Sequence, residues 1–212
     1  MNLADEIAQM QQEMMQDIPE SVLQSLQEEN MRLLAKNPEA QALNEGEMIP
    51  HIRLYNHLGK VVDVQSLLRE KDLVISFYRG TWCPYCSLEL RALVEHYQDI
   101  VDAGADVVAI SPELPDKSMD SIERERMPFQ VLSDPGNRIA QEFGLIFQLS
   151  PVLQKIYKDF GFDLVDKNGD LTWRLPIPAT YIVRQNGRIL TAYVNSDYTQ
   201  RMDPGAIVEQ LN

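Results

Sequence analysis

The stretch Leu73–Tyr97, LVISFYRGTWCPYCSLELRALVEHY, constrains the fold more than any other part of the chain. Five of its first six residues, all but Ser76, are apolar, β-branched or aromatic, with charge before them and Gly80 shortly after, the pattern of a central strand covered on both faces. Beyond the turn, Leu90, Leu93, Val94, Tyr97 and Val101 recur at helical spacing. Between strand and helix lies Cys83-Pro84-Tyr85-Cys86, which holds both cysteines of the 212-residue chain. The next apolar run, Val107–Ile110, follows a break at Gly104 and supplies a parallel partner strand, giving a βαβ unit.

The remaining punctuation extends this unit. His51–Tyr55 and Gly59–Val64 read as short strands around a turn, with a helical turn over Ser66–Arg69. Ser111–Pro128 reads as a crossing loop with a short helix, SMDSIERER, before a strand near Phe129–Leu132. Asn137–Phe143 is a short helix stopped by Gly144, and Ser150-Pro151 opens another. Asn168-Gly169 and Asn186-Gly187 both have hairpin chemistry, the second between TYIVRQ and RILTAYV. Asp203-Pro204 opens a final helix that ends at Leu211. Strand-helix-strand, hairpin, closing helix is the layout of the α/β thioredoxin-like fold, a central mixed sheet flanked by helices.

Residues 1–45 read as a helical arm and connector, and 46–212 as the main domain. Leu3, Ile7, Met10 and Met14 share one helical face. Pro19 interrupts that pattern, Ser21 is placed to cap a second helix carrying Leu23, Leu26 and Leu33, and Asn37-Pro38 ends it. Amphipathic stripes usually cover a core, so the arm is expected to lie on its own domain; the alternative is a dimerisation arm and a homodimer.

A net charge of -13 argues against nucleic acid as a partner, because phosphates are held by lysine and arginine. No apolar run approaches the roughly 20 residues that span a bilayer, so no membrane partner is expected. The acidic N-terminus lacks a signal-peptide pattern, and a cytoplasmic location is expected. In that reducing setting two cysteines two residues apart read as catalytic rather than structural.

A helix N-terminus favours negative charge through its free N–H groups and dipole. Cys83, ahead of the helix and expected to be the better exposed, is assigned as attacking nucleophile. Cys86, in the first turn and expected to be more buried, is the resolving thiol, and Pro84 suits the first helical position. Thiolate attack on a sulfur or peroxide oxygen, followed by Cys86, leaves a Cys83–Cys86 disulfide that a separate reductant resets. A zinc site would need further ligands from His51, His57 or His96, which show no Cys/His signature and read as surface or loop residues; neither metal nor cofactor is expected. Pro178 is either a strand-limiting proline or a cis-proline facing the cysteine turn.

FYRGTWCPYC, LSDPGNRIAQEFG and PATYIVRQNGRI together resemble the AhpC/TSA (peroxiredoxin-like) family of the thioredoxin superfamily, from about Ile49 to Asn212. The resemblance implies a thioredoxin-like domain, peroxide reduction with Cys83 as the peroxidatic position, a thioredoxin- or glutathione-type reductant, and the cis reading of Pro178. Typical members carry a proline seven residues before the reactive cysteine and a threonine or serine three before it; here those places hold Ser76 and Gly80. The arginine they carry ahead of the penultimate strand aligns with Pro178, leaving Arg79 and Thr81 as substitutes. Trp82 and Pro178 resemble thioredoxin features, and Cys-Pro-Tyr-Cys resembles the glutaredoxin tetrapeptide. The expected site is therefore Cys83 and Cys86, supported by Arg79, Thr81, Trp82, Pro84, Tyr85 and Pro178. The expected activity is a peroxiredoxin-like thiol oxidoreductase; a protein disulfide reductase and a redox-sensing binding module are the alternatives.

Overall fold

Apolar runs become strands and amphipathic runs become helices along most of the chain. The computed structural model describes residues 2–116 and 126–212. The arm is a pair of helices, α1 (Leu3–Asp17) and α2 (Glu20–Leu34). A 3-10 turn at Pro38–Gln41 leads to β1 (Arg53–Asn56), β2 (Val61–Asp63) and α3 (Val64–Leu68). The central unit is β3 (Asp72–Phe77), α4 (Pro84–Glu95), α5 (Tyr97–Asp102) and β4 (Ala105–Ser111). Next come β5 (Gln130–Ser133), α6 (Arg138–Glu142), β6 (Ile146–Gln148), α7 (Pro151–Asp159) and α8 (Leu164–Asn168). The chain closes with β7 (Arg174–Pro176), β8 (Ala179–Val183), β9 (Ile189–Val194) and α9 (Pro204–Leu211).

Among the described residues, the main sheet runs β2-β1-β5-β4-β3-β8-β9. β3 pairs parallel with β4 and antiparallel with β8, so it is hydrogen-bonded on both edges. Its side chains alternate. Leu73, Ile75 and Phe77 enter one core with Phe143 and Tyr181, while Val74 and Tyr78 enter a second with Leu90, Leu93 and Ile100. Phe77 and Phe143 approach to 4.7 Å between ring centroids. This is the expected thioredoxin-like arrangement of a mixed sheet between helices, and it delivers the end of β3 to the start of α4.

The arm lies on its own domain. α1 crosses α4, where Glu6 pairs with Arg91, and the Leu3 amide donates to Asp203 at 3.3 Å. α2 lies against α7, and Val22, Leu26 and Leu33 pack on the core.

Several local expectations are corrected. Ser21 does not cap α2, which begins at Glu20 with Pro19 in the cap position. The expected single helix beyond Cys86 divides at His96, whose backbone leaves helical geometry between α4 and α5. Asn168-Gly169 ends a helix instead of turning a hairpin. Asp163 accepts from the amides of Val165 and Asp166 to start α8, and Gly169, with φ +64°, closes it by donating to Val165. The β6–β7 ribbon was not expected. His57 is buried, with Nδ1 against the Val131 backbone. SMDSIERER falls outside the described residues, apart from its last.

Gly144 joins connector to domain. It has φ +71°, and a Cβ there would sit 2.0 Å from the Gln41 carbonyl oxygen. Gly144→Ala is expected to cost about 2–4 kcal/mol, combining backbone strain with a steric overlap. Urea unfolding checks this: a clearly lower midpoint is expected, and an unchanged one contradicts the reading.

Candidate active site

The turn after β3 is built to point a sulfur at a cation. Tyr78 extends β3 by donating to the Ile110 carbonyl at 3.0 Å, and Arg79 follows at once. Gly80 then takes φ +146°, and any Cβ there would strike the Trp82 indole at 2.2 Å and Glu113 at 2.9 Å. Glycine is required by both space and dihedral, which explains why no threonine stands at this position. The Thr81 amide and hydroxyl both donate to Glu113, at 2.7 Å and 3.0 Å, and Ser87 donates to the Thr81 carbonyl at 2.9 Å. The Thr81 hydroxyl thus holds the turn through Glu113.

Cys83 is the N-cap residue of α4, Pro84 occupies the first turn, and Cys86 lies one turn in. The expectation that Cys83 is the more exposed is corrected, since both cysteines are 0% exposed. They sit in the second core with Val74, Tyr78 and Leu90, and Trp82 and Tyr85 pack against it. Arg79 Nη2 reaches Cys83 Sγ at 3.0 Å, and Nη1 donates to the Tyr157 hydroxyl at 2.8 Å. The guanidinium carbon lies 4.1 Å from the Tyr198 ring centroid and 5.4 Å from that of Trp82. Arg79 is therefore a clamped, buried cation. Trp82 is itself held between Tyr157 and Phe162, and Tyr85 meets Tyr198 edge-on at 5.5 Å.

A second cation stands behind the first. Arg201 Nε donates to Glu89 at 2.7 Å, and its Nη2 lies 3.5 Å from Cys86 Sγ. Ser76, on the α4 side of β3, donates to the other oxygen of Glu89 at 3.3 Å. Serine at this place supplies a donor that proline lacks.

These contacts set the acidities of the two thiols apart. Burial pushes the Cys83 thiol up, but a hydrogen bond from Cys86 and the charges of Arg79 and Arg201 prevail and bring it to about 5. Burial, with the bond to Cys83 and its negative charge, drives Cys86 well above the ordinary thiol range. Burial also lifts Glu89 to about 7, against the pull of Arg201, and Glu113 to about 7, against its Thr81 bonds.

The sequence-derived residues divide accordingly. Arg79, Trp82, Pro84 and Tyr85 line one cavity of about 260 Å³, together with Tyr157 and Tyr198; Cys83 lies behind Arg79 and does not line it. Pro178 is corrected. It is buried at the start of β8, and among the described residues no peptide bond is cis. The chain enters β8 directly from the β6–β7 ribbon, with Ile177 donating to Leu145, so the ordinary trans bond serves. Sequence reasoning missed Glu89, Glu113, Tyr157, Tyr198 and Arg201. Only Glu89 carried a signal, as an acid on the buried face of α4 beside Cys86, Leu90 and Leu93.

Replacing Arg79 by methionine in a Cys86→Ser background is expected to raise the Cys83 titration by at least about one pH unit. Thiolate absorbance against pH reads this directly, and an unmoved midpoint would remove Arg79 from the account.

Comparison with known proteins places this geometry. Residues 46–192 match the AhpC/TSA family. Among curated relatives, the chloroplastic peroxiredoxin Q of Populus jackii is 28% identical over 160 residues, covering 76% of this chain and 64% of the relative. The putative peroxiredoxin bcp of Haemophilus influenzae is 31% identical over 103 residues, covering 49% and 66%. The chain spans only 64% and 60% of the length of the Populus and Gentiana peroxiredoxin Q proteins. Among solved structures, reduced Prx3 of Vibrio vulnificus in complex with H2O2 superposes with a TM-score of 0.63 at 15% identity, over 80% of this chain and 99% of that one. The peroxidoxin BcpB of Mycobacterium tuberculosis gives 0.61 at 18%, over 80% and 96%. At these identities the structural likeness is one of fold, whereas the sequence match covers most of the chain. A buried dithiol at the mouth of α4, on a thioredoxin-like sheet and within the matched residues, is what the comparison with known families accounts for: the chain belongs to the AhpC/TSA family.

Proposed function

We propose that this chain is a thiol peroxidase that cycles between a Cys83/Cys86 dithiol and a Cys83–Cys86 disulfide. The observation that carries the reading is the Arg79 guanidinium at 3.0 Å from Cys83 Sγ, on the floor of a cavity of small-molecule size. The relatives named peroxiredoxin Q and bcp support the same reading.

In the first step the Cys83 thiolate attacks the terminal oxygen of a hydroperoxide. The S–O bond forms, the O–O bond breaks, sulfur gives up two electrons, and the departing alkoxide or hydroxide takes a proton from solvent. Arg79 is placed to stabilise the charge that passes from sulfur to oxygen. Oxidation then makes Cys86 easier to ionise, with burial still opposing it. Two of the influences that hold its thiol protonated are the bond to the Cys83 thiolate and that thiolate's charge, and both vanish once Cys83 is a sulfenic acid. Arg201 remains beside it. Cys86 sulfur attacks the sulfenate sulfur, the S–S bond forms, the S–O bond breaks, and the hydroxide leaves with the Cys86 proton as water.

An external reductant, one dithiol of thioredoxin type or two equivalents of a monothiol of glutathione type, completes the cycle and leaves as the disulfide. Because neither sulfur is exposed, that exchange requires the first turn of α4 or the arm to open. Full burial of both sulfurs favours a small oxidant over a protein disulfide, which needs surface access to the attacking sulfur. A reducing compartment, the cytoplasm, suits this chemistry.

Stopped-flow mixing of reduced protein with hydroperoxide tests the reading. Cys83→Ser is expected to abolish the fast phase, and Cys86→Ser to retain it but stop at the sulfenic acid. A rate no faster than a free thiol contradicts the proposal. The pH profile is a further check. A depressed thiol is reactive above its own pKa and lost as pH falls through it, so the rate should be flat above about pH 6 and halve at about 5. A midpoint near the ordinary thiol value of about 8.5 would contradict it.

A further inference from the structure

The α1–α2 arm lies outside residues 46–192, which carry the family match, yet it forms a wall of the cavity above Arg79. Met14, Ile18, Leu23 and Leu26 line that cavity together with Tyr157 and Phe162. Three polar atoms on the lining residues are buried without a partner: Nε of Arg79 and Nε1 of Trp82, both donors, and Oδ1 of Asn30, an acceptor contributed by α2.

The cavity measures about 260 Å³, several times the roughly 30 Å³ that one water takes up in the liquid. Hydrogen peroxide, little larger than water, would leave most of the apolar lining without contacts. A molecule that fills the space needs an apolar body and a small head that both accepts and donates a hydrogen bond. A hydroperoxide R–O–O–H with an apolar substituent has that form, since its oxygens accept and its terminal O–H donates. The wall is held in place before any ligand arrives, by Glu6–Arg91 and Leu3–Asp203 at α1 and by the α2–α7 contact.

Resting on the peroxidase reading, we propose that the arm selects the oxidant: Met14, Ile18, Leu23 and Leu26 bind the apolar tail of an organic hydroperoxide, and Asn30 faces Arg79 at its head. Its reaction is R–O–O–H with the Cys83 thiolate to give the sulfenic acid and R–O⁻. The alkoxide takes a proton from solvent and leaves as the alcohol. The arm is then the specificity-determining part of a site whose chemistry lies in the matched residues.

The test uses the full chain, reduced, in stopped flow against cumene hydroperoxide and hydrogen peroxide, with the ratio of second-order rates as the readout. The ratio for the unaltered protein is expected to be at least about tenfold in favour of cumene hydroperoxide, and Met14→Gln with Leu23→Gln to lower it by about tenfold or more. Met14→Leu with Leu23→Met is expected to keep it. Both rates come from one preparation, so partial misfolding cancels. In Cys83→Ser protein, 2-phenyl-2-propanol should bind and quench or shift Trp82 fluorescence, and the glutamine pair should weaken that binding by a similar factor. A ratio near one in the unaltered protein, or one unmoved by the glutamine pair, overturns the arm's role while leaving the peroxidase reading intact. If neither oxidant outruns a free thiol, the peroxidase reading falls and the arm proposal falls with it.

Discussion

The contact between Arg79 and Cys83 is the interaction on which the rest of this structure depends. A fully buried thiolate without a counter-charge would be strongly disfavoured, and a fully buried guanidinium equally so. Placed at 3.0 Å, each offsets the other's desolvation. The pair is viable only because its geometry is fixed from both sides. Tyr157 takes one arm of the guanidinium, Tyr198 and Trp82 offer ring faces to it, and the side chain and backbone of Cys86 favour the charged sulfur. Burial alone would have raised the Cys83 thiol; the hydrogen bond from Cys86, within the motif, and the charges of Arg79 and Arg201, outside it, together bring it down.

A second layer keeps that geometry in place. Gly80 brings the chain against Trp82 and Glu113, and Glu113 holds the Thr81 amide and hydroxyl. Behind Cys86, Arg201 and Glu89 form a buried ion pair tied to β3 through Ser76. Two cations thus face two sulfurs, one to each, while burial, with the bond to Cys83 and its charge, keeps Cys86 protonated. The α1–α2 arm closes the assembly from above and supplies apolar walls that the central sheet does not have.

Much of this was legible in the sequence because it is local. LVISFY, the cysteine turn and the stripe Leu90, Leu93 specified a central strand feeding a helix, and Asn186-Gly187 specified the β8–β9 hairpin. The departures from the family pattern at Ser76 and Gly80 were visible, but their meaning was not. One residue gives a hydroxyl to Glu89, and the other clears space for an indole. Arg201 meets Cys86 across 115 positions of chain, and Arg79 meets Tyr157 across 78, so no spacing rule could pair them. Pro178 misled because a proline before a strand has the same local signature whether its bond is cis or trans. Asn168-Gly169 misled because the Asp163 cap, five residues upstream, had already committed the segment to a helix.

The central claim is that the two sulfurs differ in charge before any oxidant arrives. Titration of the cysteine ¹³Cβ shifts by NMR in the unaltered, reduced protein reads both sulfurs at once, buried or not. The account predicts that Cys83 titrates near 5 while Cys86 stays protonated beyond the ordinary thiol range. Two midpoints together near the ordinary value, or Cys86 titrating first, would contradict it.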